Sequence, residues 1–383
     1  MKPLSPIKFF IENKRRTVVI IIILLLSVAV VSFMTSLVTS IITDASNANL
    51  KPYEYCSAIS KTSNELFIKD SIVDEVKSYP ETEKVISVIN SYTSFQALMG
   101  NTSSPVYFIS NEDDLKSVMD INHLTLSEGR LPNGDGYEVI LHENVLKNKS
   151  MKIGDNIGKD EQEDEWLVGK YKIVGTLKGE ALIGFGNKSI IADTYKNAGL
   201  TLDKPMALLV IAKDGQLDNL NEKLDQLDKR DVMVENYSSI KRSFDKQIDS
   251  MNFLLKIIIF VVVFILSISV GALVFIIYIG RSDEFGILYA MGYRKSFINK
   301  LIIKELAALS SICWVFGYIL SFGMIYSLNL FVLSDKGQSL YFFTDDGLIN
   351  TLSIPIMVLI CAAYPILRRL KKWDPIAVIE RRD

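Results

Sequence analysis

Four long stretches of the chain contain no charged residue and consist mainly of apolar side chains. They hold 27, 24, 29 and 21 residues, at Thr17–Thr43, Ile257–Gly280, Leu306–Ser334 and Gly347–Leu367. About 20 apolar residues in a helix cross the hydrocarbon core of a bilayer. Inside lipid the backbone must satisfy its own hydrogen bonds. The pattern therefore predicts four membrane-spanning helices rather than four core helices of a soluble protein.

The first stretch is also distinct from a cleaved signal peptide. Its 27 uncharged residues exceed the apolar core of about 7–15 residues that a signal peptide has, and no small-residue cleavage site ends it cleanly. We expect this helix to remain as a membrane anchor.

A polar region, Asp44–Ser250, separates the first and second stretches. A strand, a helix and a strand are predicted near its start, at residues 53–60, 71–78 and 84–90. Near its end, leucines at helical spacing lie between two further strand-like segments; they are Leu217, Leu220, Leu224 and Leu227. Two strand–helix–strand units thus bracket the region. We expect an α+β domain with a strand-rich subdomain inserted at about residues 104–192.

Charge is divided unevenly between this region and the rest of the chain. The polar region holds 34 acidic and 24 basic residues, a net charge of −10, and the remaining residues carry +8. The basic residues flank the apolar stretches; they are Lys14, Arg15, Arg16, Arg281, Arg294, Lys295, Lys300, Lys304, Arg368, Arg369, Lys371 and Lys372. With four spans all of them fall on one side, which is the cytoplasm because short basic loops stay inside. The polar domain is then extracytoplasmic, and both termini are cytoplasmic.

The predicted fold is an α-helical membrane protein with four transmembrane helices and a large α+β extracytoplasmic domain between the first and second. The membrane helices are expected at 17–43, 251–280, 304–334 and 347–367, and the extracytoplasmic domain at 44–250. The other predicted segments are a cytoplasmic interfacial helix at 1–16, a cytoplasmic segment at 281–303, an outer loop at 335–346 and a cytoplasmic tail at 368–383. For residues 1–16 a disordered basic tail is the alternative to the helix.

Residues for chemistry are scarce in this sequence. The spans hold no pair of acids, no HExxH and no GxSxG, and Glu305, beside Lys304 at the inner mouth of the third span, is interpreted as a residue that snorkels or forms an ion pair. The nearest approach to a phosphate loop, Gly154–Asp160, has the wrong glycine spacing. His123 and His142 lack the neighbours of a metal site, so we expect structural or surface roles for both. We therefore predict no catalytic site, no metal site and no nucleotide or other cofactor site in this chain.

The segment Arg281–Lys295, RSDEFGILYAMGYRK, separates the second and third stretches. Asp283 and Glu284 suit the positive end of a helix dipole, and Gly292 suits a helix end. An apolar stripe recurs at i, i+3, i+4 and i+7; it consists of Phe285, Leu288, Tyr289 and Gly292. The pattern predicts a short cytoplasmic helix whose apolar face is covered by a partner protein. Packing on the chain's own cytoplasmic segments, or on the membrane surface, is the alternative.

Three segments together resemble the FtsX/MacB-type permeases of type VII ABC transporters. The first is this helix with Glu284, Gly286, Ala290 and Gly292, followed by Lys304–Glu305. The second is Ser127–Asp155 with YKIVGTLKG after it, which is similar to a MacB-like core domain. The third is the ending WDPIAVIERRD. The order of one span, a large outer domain and three spans also matches, so the resemblance covers essentially the whole chain.

The resemblance implies a permease subunit that couples ATP hydrolysis by a separate cytoplasmic ABC ATPase, which binds the ATP and Mg²⁺, to movement of the outer domain. It implies either export or extraction of a peptide, antibiotic or lipid-like substrate, or mechanotransmission. The alternative is a non-transporting FtsX-like regulator of an extracellular enzyme or sensor. The protein is expected in the bacterial cytoplasmic membrane, and no nucleic-acid partner is expected. A homodimer or a related permease is implied, together with an adaptor, lipoprotein or hydrolase outside.

The same resemblance makes the short helix the coupling helix that docks into the ATPase. We expect Phe285, Leu288 and Tyr289 to enter a groove, with Glu284 and Arg294 at the polar rim. Gly286 and Gly292 are expected to permit close approach and chain reversal. The predicted coupling residues are Glu284, Phe285, Gly286, Leu288, Tyr289, Ala290, Gly292 and Arg294.

Overall fold

The computed structural model of the chain describes residues 14–62, 65–98, 100–133, 136–197, 204–227, 229–342 and 345–371. The chain divides into two compact units. We call residues 1–39, 251–328 and 340–383 the helical unit, and residues 40–250 and 329–339 the α+β unit. The predicted interfacial helix at 1–16 and the tail at 368–383 fall largely outside the described residues.

The elements are numbered along the chain. The helices are α1 Lys14–Asn49, α2 Asp70–Ser78, α3 Glu112–Ile121, α4 Glu143–Asn148, α5 Lys188–Asn197, α6 Leu217–Leu224, α7 Tyr237–Ile279, α8 Ser282–Ala290, α9 Lys295–Leu328 and α10 Asp345–Lys371. The strands are β1 Cys56–Lys61, β2 Thr82–Ala97, β3 Gly100–Ile109, β4 Thr125–Gly129, β5 Glu138–His142, β6 Asn156–Ile157, β7 Tyr171–Lys178, β8 Gly184–Asn187, β9 Ala207–Ala212 and β10 Val232–Glu235.

Four of the described helices are long and apolar enough to cross a membrane, as predicted. These candidate spans are Thr17–Asn49, Tyr237–Ile279, Lys295–Lys336 and Leu348–Arg368. The third helix differs from its predicted bounds because α9 begins at Lys295, well before the uncharged stretch. Its first turns carry basic residues, so a charge-free window starts too late along the chain.

The α+β unit begins with an antiparallel four-strand arrangement in the order β10-β1-β9-β2. Helix α2 connects β1 to β2, and α6 connects β9 to β10. This is the split βαβ arrangement of two strand–helix–strand units. The predicted strand–helix–strand order at both ends of the polar region is confirmed.

A second group of strands continues the same sheet. The long strand β2 pairs with β9 along its first half and with β3 along its second half. Beyond β3 the order is β8-β5-β7-β4, with parallel and antiparallel pairs, and β6 joins β7. The segment between β2 and β9 in sequence therefore supplies the strand-rich part of the unit.

The α+β unit buries its apolar side chains in separate clusters on the two faces of its strands. One cluster joins α2 and α6 to the first strands through Ile72, Val76, Leu220 and Leu224. Another contains Tyr107, Phe185 and strand residues from both groups. Alternate residues of a strand point to opposite faces of the sheet. The cluster with α2 and α6 covers one face of β9 and the cluster with Tyr107 and Phe185 covers the other, so β9 is buried along its whole length.

Candidate partner-binding site on α8

Helix α8 ends as its sequence predicts. Gly292 adopts a left-handed φ of +92°. Its N–H donates to the carbonyl of Tyr289 at 2.9 Å, and the N–H of Tyr293 donates to the carbonyl of Leu288 at 3.2 Å. This pair of bonds is the Schellman arrangement, which favours glycine at this position. A Cβ on Gly292 would meet no atom within 4 Å, so within this chain the glycine serves the backbone angle and not a close approach.

One face of α8 is covered by the chain itself. Phe285 is 1% exposed and its ring stacks on Tyr278 with 6.3 Å between centroids. Gly286 is buried, and Leu288 is half-buried against the same core. The core also contains Ile298 and Ile302 of α9. The chain's own helices therefore cover Phe285 and Gly286 in this structure, and the contact of these two residues with a partner stays a prediction.

A buried ion pair fixes this face. Arg281 Nη1 lies 2.6 Å from Glu305 Oε2, and both residues are buried. The Tyr278 hydroxyl donates to the same carboxylate oxygen at 3.0 Å. Arg281 Nε donates to the Glu284 carboxylate at 3.1 Å. A desolvated charge requires a partner and further hydrogen bonds, and this cluster supplies them.

The Arg281 guanidinium also lies over two aromatic rings. Its central carbon is 5.1 Å from the Tyr278 ring centroid and 5.0 Å from that of Phe285. Arginine is suited to such stacking because its planar charge is weakly hydrated. The end of α7, the start of α8 and the first turns of α9 are thus joined through one side chain.

The sequence interpretation missed this cluster. It treated Arg281 as one of the basic flanking residues and gave Glu305 its neighbour Lys304 as the nearby cation. The observed partner is Arg281, 24 positions away in sequence. A signal was present, since an acid at the edge of an apolar run marks a residue that needs a partner, but the sequence does not say which cation is that partner.

The opposite face of α8 is apolar and uncovered. Ile287 and Met291, one turn apart, are 53% and 62% exposed. Tyr293 continues this surface and stacks on Phe297 of α9, with 5.0 Å between ring centroids. We call Ile287, Met291, Tyr293 and Phe297 the open face. Five of the predicted coupling residues are also exposed; they are Glu284, Tyr289, Ala290, Gly292 and Arg294.

Tyr289 lies beside this face and carries a positive neighbour, because Lys295 Nζ is 5.8 Å from its ring centroid. The surface thus combines aliphatic and aromatic side chains with charges at its margins. Interfaces between proteins have this composition, with an apolar centre and a polar rim. The arrangement can bind a protein groove; among the described residues it offers no constellation of three His, Cys, Asp or Glu side chains that could hold a metal.

The buried polar residues of the α+β unit have structural contacts. His142 Nδ1 accepts the N–H of Asn144 at 3.2 Å, and its Nε2 lies 2.9 Å from the carbonyl oxygen of Gly179. Burial lowers the pKa of His142. The Glu165 carboxylate accepts the N–H of Ser94 at 3.0 Å and pairs with Lys149 at 2.7 Å. These side chains tie loops to strands.

Residues 256–372 match the FtsX-like permease C-terminal family. This part of the chain is an FtsX-like permease domain. The FtsX-like domain contains the second half of α7 and all of α8, α9 and α10. The Arg281–Glu305 pair and the open face therefore both lie inside it.

Three solved structures are distantly similar to the chain that carries this FtsX-like domain. The periplasmic region of MacB from Actinobacillus actinomycetemcomitans is 17% identical, with a TM-score of 0.31, covering 51% of this chain and 96% of that one. The extracellular domain of the transporter YknZ from Gram-positive bacteria is 14% identical, with a TM-score of 0.29, covering 48% and 99%. A domain of a permease protein from Porphyromonas gingivalis is 10% identical, with a TM-score of 0.26, covering 48% and 90%. No curated protein sequence matches the chain.

Proposed function

We propose that this chain is the permease subunit of an ABC transporter and that a separate ATPase docks on α8. The observation that carries the proposal is the open face within the FtsX-like domain. Helix α8 is short and has apolar side chains on both faces, and the described part of the chain covers only one of these faces. A contiguous exposed apolar surface rimmed by polar residues marks a site of interaction.

The contacts of the covered face support a coupling role for α8. A helix that transmits force must be joined firmly to the helices that it moves. Phe285 and the Arg281–Glu305 pair provide such a joint to α7 and α9. The proposed docking residues are Ile287, Met291, Tyr293 and Tyr289, with Glu284 and Arg294 at the rim. This assignment replaces Phe285 as an anchor in the partner's groove.

Helix α7 supports the next step, in which movement reaches the α+β unit. It is one continuous helix of 43 residues that begins two residues after β10 and ends three residues before α8. Its length is about 65 Å at 1.5 Å per residue. We propose that α7, which connects β10 to α8 along the chain, carries a displacement of α8 towards the α+β unit.

The ATPase of this proposal is a separate subunit, as the resemblance to FtsX/MacB-type permeases implies. The basic flanks of the spans support an orientation with α8, and with it both termini, in the cytoplasm. We further propose that the permease functions as a pair, as a homodimer or with a related permease. Export or extraction of a peptide, antibiotic or lipid-like molecule and mechanical regulation of an outer enzyme use the same coupling step.

The experiment is to coexpress the full-length chain with the ABC ATPase subunit, to purify them together and to study them in lipid nanodiscs. The proposal expects a stable complex whose rate of ATP hydrolysis differs from that of the ATPase alone. A chain that neither retains the ATPase nor changes its turnover contradicts the proposal. In the same nanodiscs, release of labelled lipid or peptide on ATP addition distinguishes transport from mechanical regulation.

A further inference from the structure

The segment Asn329–Ser339 has an unexpected place in the structure. In sequence it lies between the membrane helices α9 and α10, yet it belongs to the α+β unit. It consists of a π-helical turn, Asn329–Leu333, and a 3₁₀ turn, Ser334–Lys336, followed by Gly337 and Gln338. The sequence interpretation treated residues 335–346 only as a short outer loop.

One amide side chain of α4 holds this segment and β2 together. Asn148 Nδ2 donates to the carbonyl of Lys336 at 3.0 Å and to the carbonyl of Gln96 at 2.7 Å. Its Oδ1 accepts the N–H of Gln96 at 2.8 Å. Gln338 Nε2 donates to the same Gln96 carbonyl at 2.6 Å. Residues 148, 96, 336 and 338 thus form one hydrogen-bonded network across distant parts of the sequence.

Gly337 brings the backbone of the segment against α4. Its φ is +61°, and a Cβ built on it would lie 2.3 Å from the carbonyl oxygen of Asn144 and 2.9 Å from its Cα. Both atoms are backbone, so no side-chain rotation relieves such a clash. Only glycine permits this approach together with this backbone angle.

The surface that receives the segment is itself well anchored. Helix α4 begins at the buried His142, whose ring caps it. Directly after the helix, Lys149 pairs with the buried Glu165. Glu165 also accepts hydrogen bonds from the backbone of Trp166 and Ser94, at 2.8 Å and 3.0 Å. The receiving surface is therefore fixed to β2 and to the loop before β7.

We propose that Asn329–Ser339 is a latch that fastens the chain between α9 and α10 to the strand-rich part of the α+β unit. The network consists of a few hydrogen bonds at an exposed position, so it can open and close without unfolding the strands. Binding of a ligand or partner that prefers one state shifts the balance between the two.

The hydrogen bonds of Asn148 and Gln338 and the close approach of Gly337 support the latch, and none of them depends on the ATPase assignment. Its use in a transport cycle rests on the proposed function. An experiment on the permease alone therefore tests the latch, and a failure of ATPase binding leaves its result unchanged.

The test is backbone hydrogen exchange on the full-length chain in lipid nanodiscs without ATPase. Gly337→Ala is compared with Gly215→Ala, which also has a positive φ, +70°, but has open space around a built Cβ. We expect exchange at residues 329–342 and 143–149 to become about tenfold faster or more in Gly337→Ala, in keeping with a local opening equilibrium. We expect parental rates in these segments in Gly215→Ala.

Asn148→Asp provides a second variant if Gly337→Ala does not insert. It keeps the acceptor for the Gln96 N–H but replaces both donated hydrogen bonds with a carboxylate facing two carbonyls. We expect faster exchange in the same two segments and no change in β9. Parental rates at residues 329–342 in Gly337→Ala or in Asn148→Asp overturn the latch, as does equal acceleration by Gly215→Ala.

Discussion

Two short helices, α6 in the α+β unit and α8 in the helical unit, use their apolar residues differently. In α6 the leucines lie on one face, and Leu220 and Leu224 are completely buried against the sheet. The rest of α6 is polar. In α8, Phe285 is buried while Ile287 and Met291, on the other side, are exposed.

The difference shows what each helix is built to contact. A helix with one apolar face needs one surface to cover it, and its own domain supplies that surface for α6. A helix that is apolar nearly all round needs cover on both sides, and the described part of the chain gives α8 only one. The number of faces that carry apolar side chains, and not the apolar content alone, distinguishes the structural helix α6 from the candidate docking helix α8.

The largest expected effect comes from breaking the joint on the covered face of α8. Removing one partner of a buried ion pair leaves an uncompensated charge and costs about 3–5 kcal/mol. We expect Glu305→Ala to lower the thermal unfolding midpoint of the full-length chain markedly. The double change Arg281→Met with Glu305→Leu should cost less, because it removes both charges. The measurement is thermal unfolding in detergent micelles.

An exposed pair on α7 provides the control for this prediction. Lys241 and Asp245 are both about half-exposed and lie 3.1 Å apart. Such pairs contribute about 1 kcal/mol or less, so Lys241→Ala should leave the midpoint nearly unchanged. If Glu305→Ala behaves like Lys241→Ala, the joint does not stabilise the helical unit and α8 is not held as described.

The next effect concerns the one-sided helix. Leu224→Ala removes a fully buried side chain of α6 and should cost about 2–5 kcal/mol. Leu66, which is 60% exposed, gives the matched control, and Leu66→Ala should have little effect. Hydrogen exchange at β9 and β1 in urea measures the change. Equal stability of the two variants contradicts the one-sided packing of α6.

The smallest effect is expected at the rim of α8. Exposed charges contribute about 1 kcal/mol or less, so Glu284→Gln and Arg294→Ala should each change ATPase affinity only slightly. The residual effect should shrink as salt rises, because exposed charges are screened. Titration of the ATPase at low and high salt measures this. A large, salt-independent loss in either variant would move these residues from the rim to the centre of the interface.

Most of the helices that build the fold can be predicted from the sequence. The four apolar runs predict α1, α7, α9 and α10, because length and lack of charge are enough to identify a span. The leucine spacing predicts α6, and Gly292 predicts the end of α8. Each of these features depends on residues that are close together in the sequence, so it can be recognised from one continuous segment.

The features that escaped prediction depend on distant parts of the chain. The spacing of Phe285 in α8 indicates a buried position, but it does not tell whether α7 and α9 or a partner provides the cover. Glu305 needs a cation, and only the fold selects Arg281. The network of Asn148 with Lys336 joins residues 188 positions apart. No periodicity connects such positions.

The docking role of the open face is tested most directly by a pair of double variants. Ile287→Ala with Met291→Ala removes the two most exposed apolar side chains of α8. Ile319→Ala with Met324→Ala makes the same chemical changes at exposed positions of the membrane helix α9, which are 57% and 46% exposed. The readout is the ATP hydrolysis rate of the ABC ATPase subunit titrated with each full-length variant in nanodiscs.

Anchoring side chains of an interface cost about 2 kcal/mol or more each when they are truncated. The α8 variant should therefore lose its stimulation of the ATPase, with affinity weakened by about tenfold or more, while keeping its unfolding midpoint. The α9 variant should stimulate like the parent. If the α8 variant binds and stimulates the ATPase like the parent, the open face is not the docking surface and the central claim is wrong.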